Sequence, residues 1–411
     1  MDTCFFHIDV NSAYLSWTAL SRLEQGETLD LREIPSIIGG DKERRHGIVL
    51  AKSTLAKSYG IQTGEPIVSA FKKCPTLTMA SPDHAMYQER SQKLMEYLAS
   101  ICPDIEQVSI DECYMNYTPI SGRYTSCIEA ASQIKDSVFE KFHFTVNIGI
   151  SDRKVLAKMA SDFQKPNLVH TLFSYEIQEK MWPLTVDNLF MCGQSSVETL
   201  HNLGILTIGD LAKTDCSILI SHLKSHGKTL WEFANGIDDS KVEPWSEKAK
   251  GIGNSTTVSH DLGTAEEAYK VLMNLAESVG SRLRKEKQLA GTISCEIKYS
   301  SFQSVSHQTT LSSPTDATTL IYETAQFLFN ELWNGSPIRL LGIRTSKLTD
   351  ASGPVQLTLF DLLPLDINAK PSDDAAQHQR QLKQEKLDKA LDRIKQKYGQ
   401  NSIVRGSLLK K

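Results

Sequence analysis

Three acidic residues give the first indication of chemistry. Asp9 stands near the end of a short apolar run, and Asp111-Glu112 separates two further runs. If these runs pair as strands of one sheet, three carboxylates converge, and they cannot all stay ionised without a counter-charge. Hard divalent cations supply one, and Mg²⁺ is commonly held by a few carboxylates together with substrate phosphates. Two such ions about 4 Å apart stabilise the attacking and leaving oxygens of an in-line phosphoryl displacement. Taken alone, Asp9 reads more readily as a surface acid. The adjacent pair says more, because two-residue hairpin loops favour Asn-Gly or Asp-Gly. A residue choice that costs local stability points to function.

Positioning these groups requires a particular set of elements. Phe5–Val10 reads as a buried strand, and residues 105–110 and 113–117 as two strands of a tight hairpin. Apolar residues at helical spacing (Leu94, Tyr97, Leu98, Ile101) predict a helix over 87–101, and a second helix is expected over 128–139 with a strand over 144–150. Strand, helix, hairpin, helix, strand is the ferredoxin-like split βαβ order, here with an insertion over about residues 12–80. Ser151 is expected to cap a helix carrying Val155, Leu156, Met159 and Phe163 on one face, ended by Lys165-Pro166-Asn167. Residues 173–240 read as a small helical unit with Gly193 and Gly204 at turns, and 241–250 as a linker. An α+β segment over 251–348 follows: strands 255–259, 291–299 and 338–348, helices 265–286 and 317–332. Beyond residue 350 the composition is that of a flexible tail, with a charged helix over 381–398.

The 411 residues suggest two to four domains. No apolar run approaches the roughly 18–20 residues that span a bilayer. The N-terminal apolar stretch has no basic flank and is not expected to be a signal peptide. The eight cysteines show no CxxC spacing, which predicts buried thiols in a reducing cytoplasm. Net charge is −4, against a protein basic over its whole surface. Residues 36–73 nonetheless carry seven Lys/Arg against three Asp/Glu, and 280–298 five against two. Such local basic faces fit either a nucleic-acid track or ordinary solvated surface.

The segments His7-Ile8-Asp9-Val10-Asn11-Ser12-Ala13-Tyr14 and Ser109-Ile110-Asp111-Glu112-Cys113-Tyr114 closely resemble the two metal-binding motifs of Y-family translesion DNA polymerases, best of all the bacterial DinB-like, polymerase IV-type branch. Ile37-Ile38-Gly39-Gly40 with Arg44-Arg45-His46-Gly47-Ile48 resembles the fingers of that branch. Asn147-Ile148-Gly149-Ile150-Ser151, followed by Lys154, Ala157-Lys158 and Lys165-Pro166-Asn167, resembles the end of its palm. The resemblance runs from about residue 4 to 350. It implies an α+β right-hand polymerase: a ferredoxin-like palm (1–12 and 80–172), small fingers (13–79), a helical thumb (173–240), a linker (241–250), an α+β little finger (251–348) and a tail (349–411). It further implies two Mg²⁺ ions held by Asp9, Asp111 and Glu112 with the Val10 carbonyl. The reaction implied is attack of a primer 3′-hydroxyl on the α-phosphate of a deoxynucleoside triphosphate, catalysed mainly by positioning and charge stabilisation.

By the same resemblance Tyr14 is a steric gate against the ribose 2′-hydroxyl, Lys165 contacts the triphosphate, and Gly39 and Gly40 form a small-residue roof over the templating base. Thr54 and Lys57 stand where the family has Tyr and Arg on the β- and γ-phosphates. Lysine keeps the charge but not the bidentate geometry, and Lys52 or Ser53 are candidates to compensate. In the thumb, Met191 takes the place of one of two glycines in a phosphate-binding turn, with Gly193 kept and Ser195-Ser196 following. Gln356-Leu357-Thr358-Leu359-Phe360 resembles the peptide by which bacterial polymerases dock on the sliding clamp, with Gln356, Leu357, Leu359 and Phe360 as contacts; a strand folded back on the little finger is the alternative. The tail helix with Leu382, Leu387, Leu391, Ile394 and Tyr398 either packs on the core or binds another protein. The expected partners are primer-template DNA, deoxynucleoside triphosphates and the clamp, for a cytoplasmic, nucleoid-associated monomer that touches no membrane. Two other readings compete: a catalytically weak, clamp-bound scaffold, suggested by Thr54, Lys57 and Met191, and a nucleotide cyclase, which needs neither little finger nor clamp peptide.

Overall fold

The computed structural model describes residues 3–40, 47–244, 249–353, 386–399 and 402–403. The chain divides into two compact units, with the break near residue 247.

In the first unit, strand β1 (Phe5–Val10) leads into helix α1 (Ala13–Glu24). A small three-stranded sheet follows, made of β2 (Ser36–Gly39), β3 (Val49–Lys52) and, after helices α2 (Thr54–Ser58) and α3 (Ile67–Lys73), β4 (Thr78–Ala80), in the order β3-β2-β4. Next come α4 (His84–Ile101), β5 (Ile105–Gln107), β6 (Glu112–Asn116), α5 (Cys127–Phe142), β7 (Val146–Ser151), α6 (Lys154–Ser161) and β8 (Val169–Thr171). The main sheet has the order β5-β6-β1-β7-β8. Its first four members are antiparallel neighbours in the split βαβ arrangement, and β8 adds in parallel to β7.

β1 is the central strand and all six of its residues are buried, which explains its nearly continuous apolar run. Phe6, Ile8 and Val10 join the core formed with α4 and α5 through Leu94, Leu98, Ala130, Ile134 and Val138. The alternate residues Phe5, His7 and Asp9 point to the opposite face, where Phe5 packs with Tyr114 and with Ala157 of α6. That helix lies so close to the sheet that a Cβ on Gly149 would sit 2.0 Å from the Ala157 carbonyl oxygen and 2.4 Å from the Ser161 nitrogen. Its outer face supplies Val155, Leu156, Met159 and Ala160 to a second core shared with α7 (Ile177–Lys180), α8 (Gln194–Asn202), α9 (Ile208–Lys213), α10 (Cys216–Leu223) and α11 (Ser225–Ala234).

In the second unit β9 (Gly251–Leu262), α12 (Ala265–Lys285), β10 (Gln288–Tyr299), β11 (Ser304–Thr315), α13 (Thr318–Leu332) and β12 (Ile338–Asp350) form an antiparallel sheet of order β11-β10-β12-β9 with its two helices packed on it through one core. Residues 386–398 form a helix docked on this unit by polar groups. The buried Asp388 carboxylate accepts the Thr318 N–H (3.0 Å), Arg284 pairs with Asp392 (2.6 Å) and Lys395 with Glu277 (2.7 Å). Leu387, Ile394 and Tyr398 are exposed, so the helix packs on the core through its charges rather than its apolar stripe.

Several expectations need correction. The tight two-residue hairpin is a four-residue loop, 108–111, with Glu112 already the first residue of β6. The Val108 and Ser109 amides both donate to the Glu112 carbonyl, closing it. Ser151 ends β7 instead of capping α6, whose N-cap is Arg153; its hydroxyl donates to the Leu172 carbonyl. Gly193 is the N-cap of α8, whereas Gly204 does turn with a positive φ of 76°. The strands β2, β3, β4, β8 and β11 go beyond the elements that the sequence predicts.

Candidate active site

The antiparallel register of β1 and β6 places Asp9 directly opposite Glu112. Asp111 is brought alongside because the Val10 N–H donates to its carbonyl (3.1 Å), and its carboxylate accepts the Ser109 hydroxyl (2.7 Å). The three acids therefore lie together at the edge formed by the end of β1 and the start of β6. Asp9, Val10 and Asp111 are among the residues lining a cavity of about 670 Å³.

The counter-charge comes from α6 and the segment after it. Lys158 Nζ lies 2.7 Å from Glu112 Oε1, 3.6 Å from Asp9 Oδ2 and 3.3 Å from Asp162 Oδ2. Lys165 Nζ lies 3.0 Å from Asp9 Oδ2 and 2.9 Å from Asp162 Oδ1. Burial pushes the Asp9 carboxyl up to about 6; the lysines pull it down, and the hydrogen bond to Glu112 adds to the rise. Among the described residues no three His, Cys, Asp or Glu side chains are arranged around one metal position. The donor chemistry nevertheless suits a hard divalent cation: acidic oxygens crowded enough to raise a carboxyl and held together by two ammonium groups.

A buried polar network holds Lys165 in place. The Asn147 side chain, fully buried on β7, donates to the Ser161 and Gln164 carbonyls and accepts from the Asn11 side chain and the Leu168 N–H. The Asn167 N–H donates to the Asn11 side chain in turn (2.9 Å). His7, beside Asp9, has Nδ1 2.8 Å from the Ser161 hydroxyl and Nε2 3.9 Å from Glu112 Oε2. Burial, then Lys158 and Lys165, hold this imidazole well below its usual pKa and so neutral at pH 7. Sequence reasoning quoted His7 and Lys158 inside motifs without giving either a role. Asp162, and Asn147 as an organiser, carried no local signal.

Tyr14 lines the same cavity, half-buried, with its ring stacked on Tyr87 at 4.3 Å and edge-on to His84. This shelf fixes where its hydroxyl end points. Thr54, Lys57, Lys52 and Thr63 line the same cavity. The Ser53 hydroxyl is fully committed: it donates to the Ile34 carbonyl and accepts from the Ser36 and Ala56 amides. Gly39 and Gly40 are not among the lining residues; Gly39 is buried in β2, where a Cβ would meet the Ile67 side chain at 2.6 Å. Met191 sits at φ 67°, the left-handed region that favours glycine, and is exposed. The peptide 356–360 lies outside the described residues. All eight cysteines are free, five of them buried. No described helix is long and apolar enough to cross a membrane.

Comparison with known proteins shows the family. Residues 8–162 match the impB/mucB/samB family, and residues 249–359 match the C-terminal domain of the same family. DNA polymerase IV of Clostridium acetobutylicum is 44% identical over the whole chain and 99% of its own length. DNA polymerase IV 1 of Bacillus subtilis is 34% identical over 99% of the chain and 93% of its own. A solved chimera of the Y-family DNA polymerases Dbh and Dpo4 superposes with a TM-score of 0.73 at 19% identity, covering 84% of this chain and 99% of that one. The chain belongs to the impB/mucB/samB family and is a DNA-directed DNA polymerase of the Y-family, the translesion class.

Proposed function

We propose that this polymerase joins a deoxynucleotide to a primer 3′-hydroxyl by two-metal phosphoryl transfer at Asp9, Asp111 and Glu112. The observation that carries the proposal is the direct Asp9–Glu112 pairing, with Asp111 tied to Val10, beside a cavity that Asp9 and Asp111 line together with Arg32, Lys52, Lys57 and Lys165. The three carboxylates and the Val10 carbonyl are the groups that would hold two Mg²⁺ ions. When bound, these ions activate the 3′-hydroxyl and offset charge on the phosphates. Lys165 reaches the triphosphate by exchanging its contact with Asp9. Tyr14, braced on Tyr87, excludes a 2′-hydroxyl from the sugar position. In this reading the main sheet is the palm, the small sheet the fingers with Gly39 and Gly40 above the template base, residues 173–240 the thumb, and the second unit the little finger. The face of that last sheet that carries Ser294, Ser306, Gln308, Lys298 and Arg344 offers hydroxyl, amide and cationic groups to a phosphate backbone, with the exposed acid Glu296 among them. The peptide 356–360 docks on the sliding clamp, and the protein acts as a monomer.

The test is primer extension on an undamaged template with Mg²⁺ and four deoxynucleotides, comparing the wild type with Asp111→Ala. Extension that vanishes in the variant, with primer-template binding retained, supports the assignment; extension that persists refutes the metal site. A folded, DNA-binding wild type that extends nothing even with its clamp would favour the scaffold reading. Tyr14→Ala should admit ribonucleotides, and unchanged sugar selectivity would remove the gate.

A further inference from the structure

We propose that Lys52, steadied by Thr63, is a ligand of the terminal phosphates of the incoming nucleotide and sets the enzyme's affinity for the triphosphate. The inference rests on the reading above that the cavity takes a deoxynucleoside triphosphate. Four cationic side chains line that cavity, and their charges are disposed of differently. The Arg32 guanidinium is committed to Asp30 and to the His143 carbonyl. Lys165 is paired with Asp9 and Asp162. Lys52 and Lys57 make no ion pair with a carboxylate among the described residues.

Lys52 is the last residue of β3, opposite Ile37, and is half-buried, so its stem is fixed by the sheet. Its Nζ donates to the Thr63 hydroxyl at 3.2 Å, which holds the ammonium on the cavity wall. Lys57, one turn along α2, is near enough to press against it: burial and then Lys57 lower the Lys52 pKa, with Glu65 acting weakly the other way. Glu65 is itself paired with Lys73 at 2.6 Å, so the two cations kept together cost electrostatic energy that a doubly charged phosphate end would remove. The same cavity is lined by Asp9 and Asp111, whose cationic neighbour Lys165 is already paired, so Lys52 and Lys57 are the lining cations left for the terminal phosphates. Ser53 cannot share the task, because its hydroxyl already makes three structural hydrogen bonds.

The experiment uses the full chain bound to primer-template ending in a dideoxynucleotide, titrated with a non-hydrolysable α,β-imido deoxynucleoside triphosphate in Mg²⁺. Losing one charge-assisted hydrogen bond to phosphate should raise Kd about ten- to a hundredfold in Lys52→Met. Thr63→Val should raise it about threefold, and Lys52→Arg should stay near wild type. In steady state the Lys52→Met defect should fall on KM with kcat little changed, and DNA affinity and thermal unfolding should match wild type. Lys52→Met binding the analogue as tightly as wild type overturns the proposal, as does a loss confined to Lys57→Met. Failure of the wild type itself to bind the analogue would instead refute the underlying reading of the cavity.

Discussion

Lys158 offers a prediction in which stability and metal binding should move in opposite directions. Its ammonium lies 2.7 Å from Glu112 and 3.6 Å from Asp9, and its side chain is 11% exposed. Without metal it neutralises the acids, so Lys158→Met should destabilise the metal-free protein by about 3 kcal/mol, as when a buried pair loses one member. A divalent ion on the same carboxylate would be a second cation about 4 Å from that ammonium. Their repulsion is 2 × 332/(ε × 4), or about 2 kcal/mol in water-like surroundings and about 8 kcal/mol at an effective dielectric of 20. Taking the lower figure, Lys158→Met should bind Mn²⁺ or Mg²⁺ about thirtyfold more tightly than wild type. Calorimetric titration without DNA measures the affinity, and urea unfolding with and without metal measures the stability. A folded variant that binds metal no better than wild type would refute the claim that the lysine and the ions compete for the same oxygens.

Other positions give sharper structural tests. Gly149→Ala places a Cβ against backbone atoms of α6 that cannot give way, so it should cost about 3 kcal/mol in urea unfolding and disturb Lys158; a neutral result would deny the close helix–sheet approach. Met191→Gly relieves a left-handed backbone at an exposed site and should stabilise by about 1 kcal/mol in chemical denaturation. Asp388→Ala removes the acceptor of the Thr318 amide, worth about 2 kcal/mol. Hydrogen exchange over residues 386–398 should then quicken about thirtyfold, while the sheet of that unit stays protected.

Much of the main sheet and its helices was legible because β1 is a nearly continuous apolar run and α4 and α5 repeat apolar residues at the helical period, each bounded by turn or cap residues. Asp83 and Ser126 cap α4 and α5 through side-chain oxygens, extending both helices a little beyond their apolar stripes. β11 was missed for a physical reason: it is an edge strand with most of its residues exposed, written in Ser, His, Gln and Thr, so no alternation of apolar and polar residues marks it. The acidic trio was visible as residue types, and the direct pairing of Asp9 with Glu112 followed once β6 was known to begin at Glu112. The role of Lys158 was not visible, and Lys52 was legible only as one of two candidates, with Ser53, to make up for Thr54 and Lys57. A lysine at a strand end and another in a helix look like solvated charges until tertiary structure shows one facing a cavity without a carboxylate partner and the other buried among acids.

The dependence of the acidic edge on α6 also constrains the order in which the chain can fold. β1 and β6 bring Asp9 and Glu112 face to face, yet Lys158 follows Glu112 by 46 residues and Lys165 follows Asp9 by 156. During synthesis at about 5–20 residues per second, the paired strands leave the ribosome seconds before the charges that neutralise them. Over that interval the strand pair carries an uncompensated cluster of acids, which weakens its pairing. Docking of α6 on Gly149 brings Lys158 to Glu112 and begins to close the interval; Lys165, just past the helix, completes it before β8 joins the sheet.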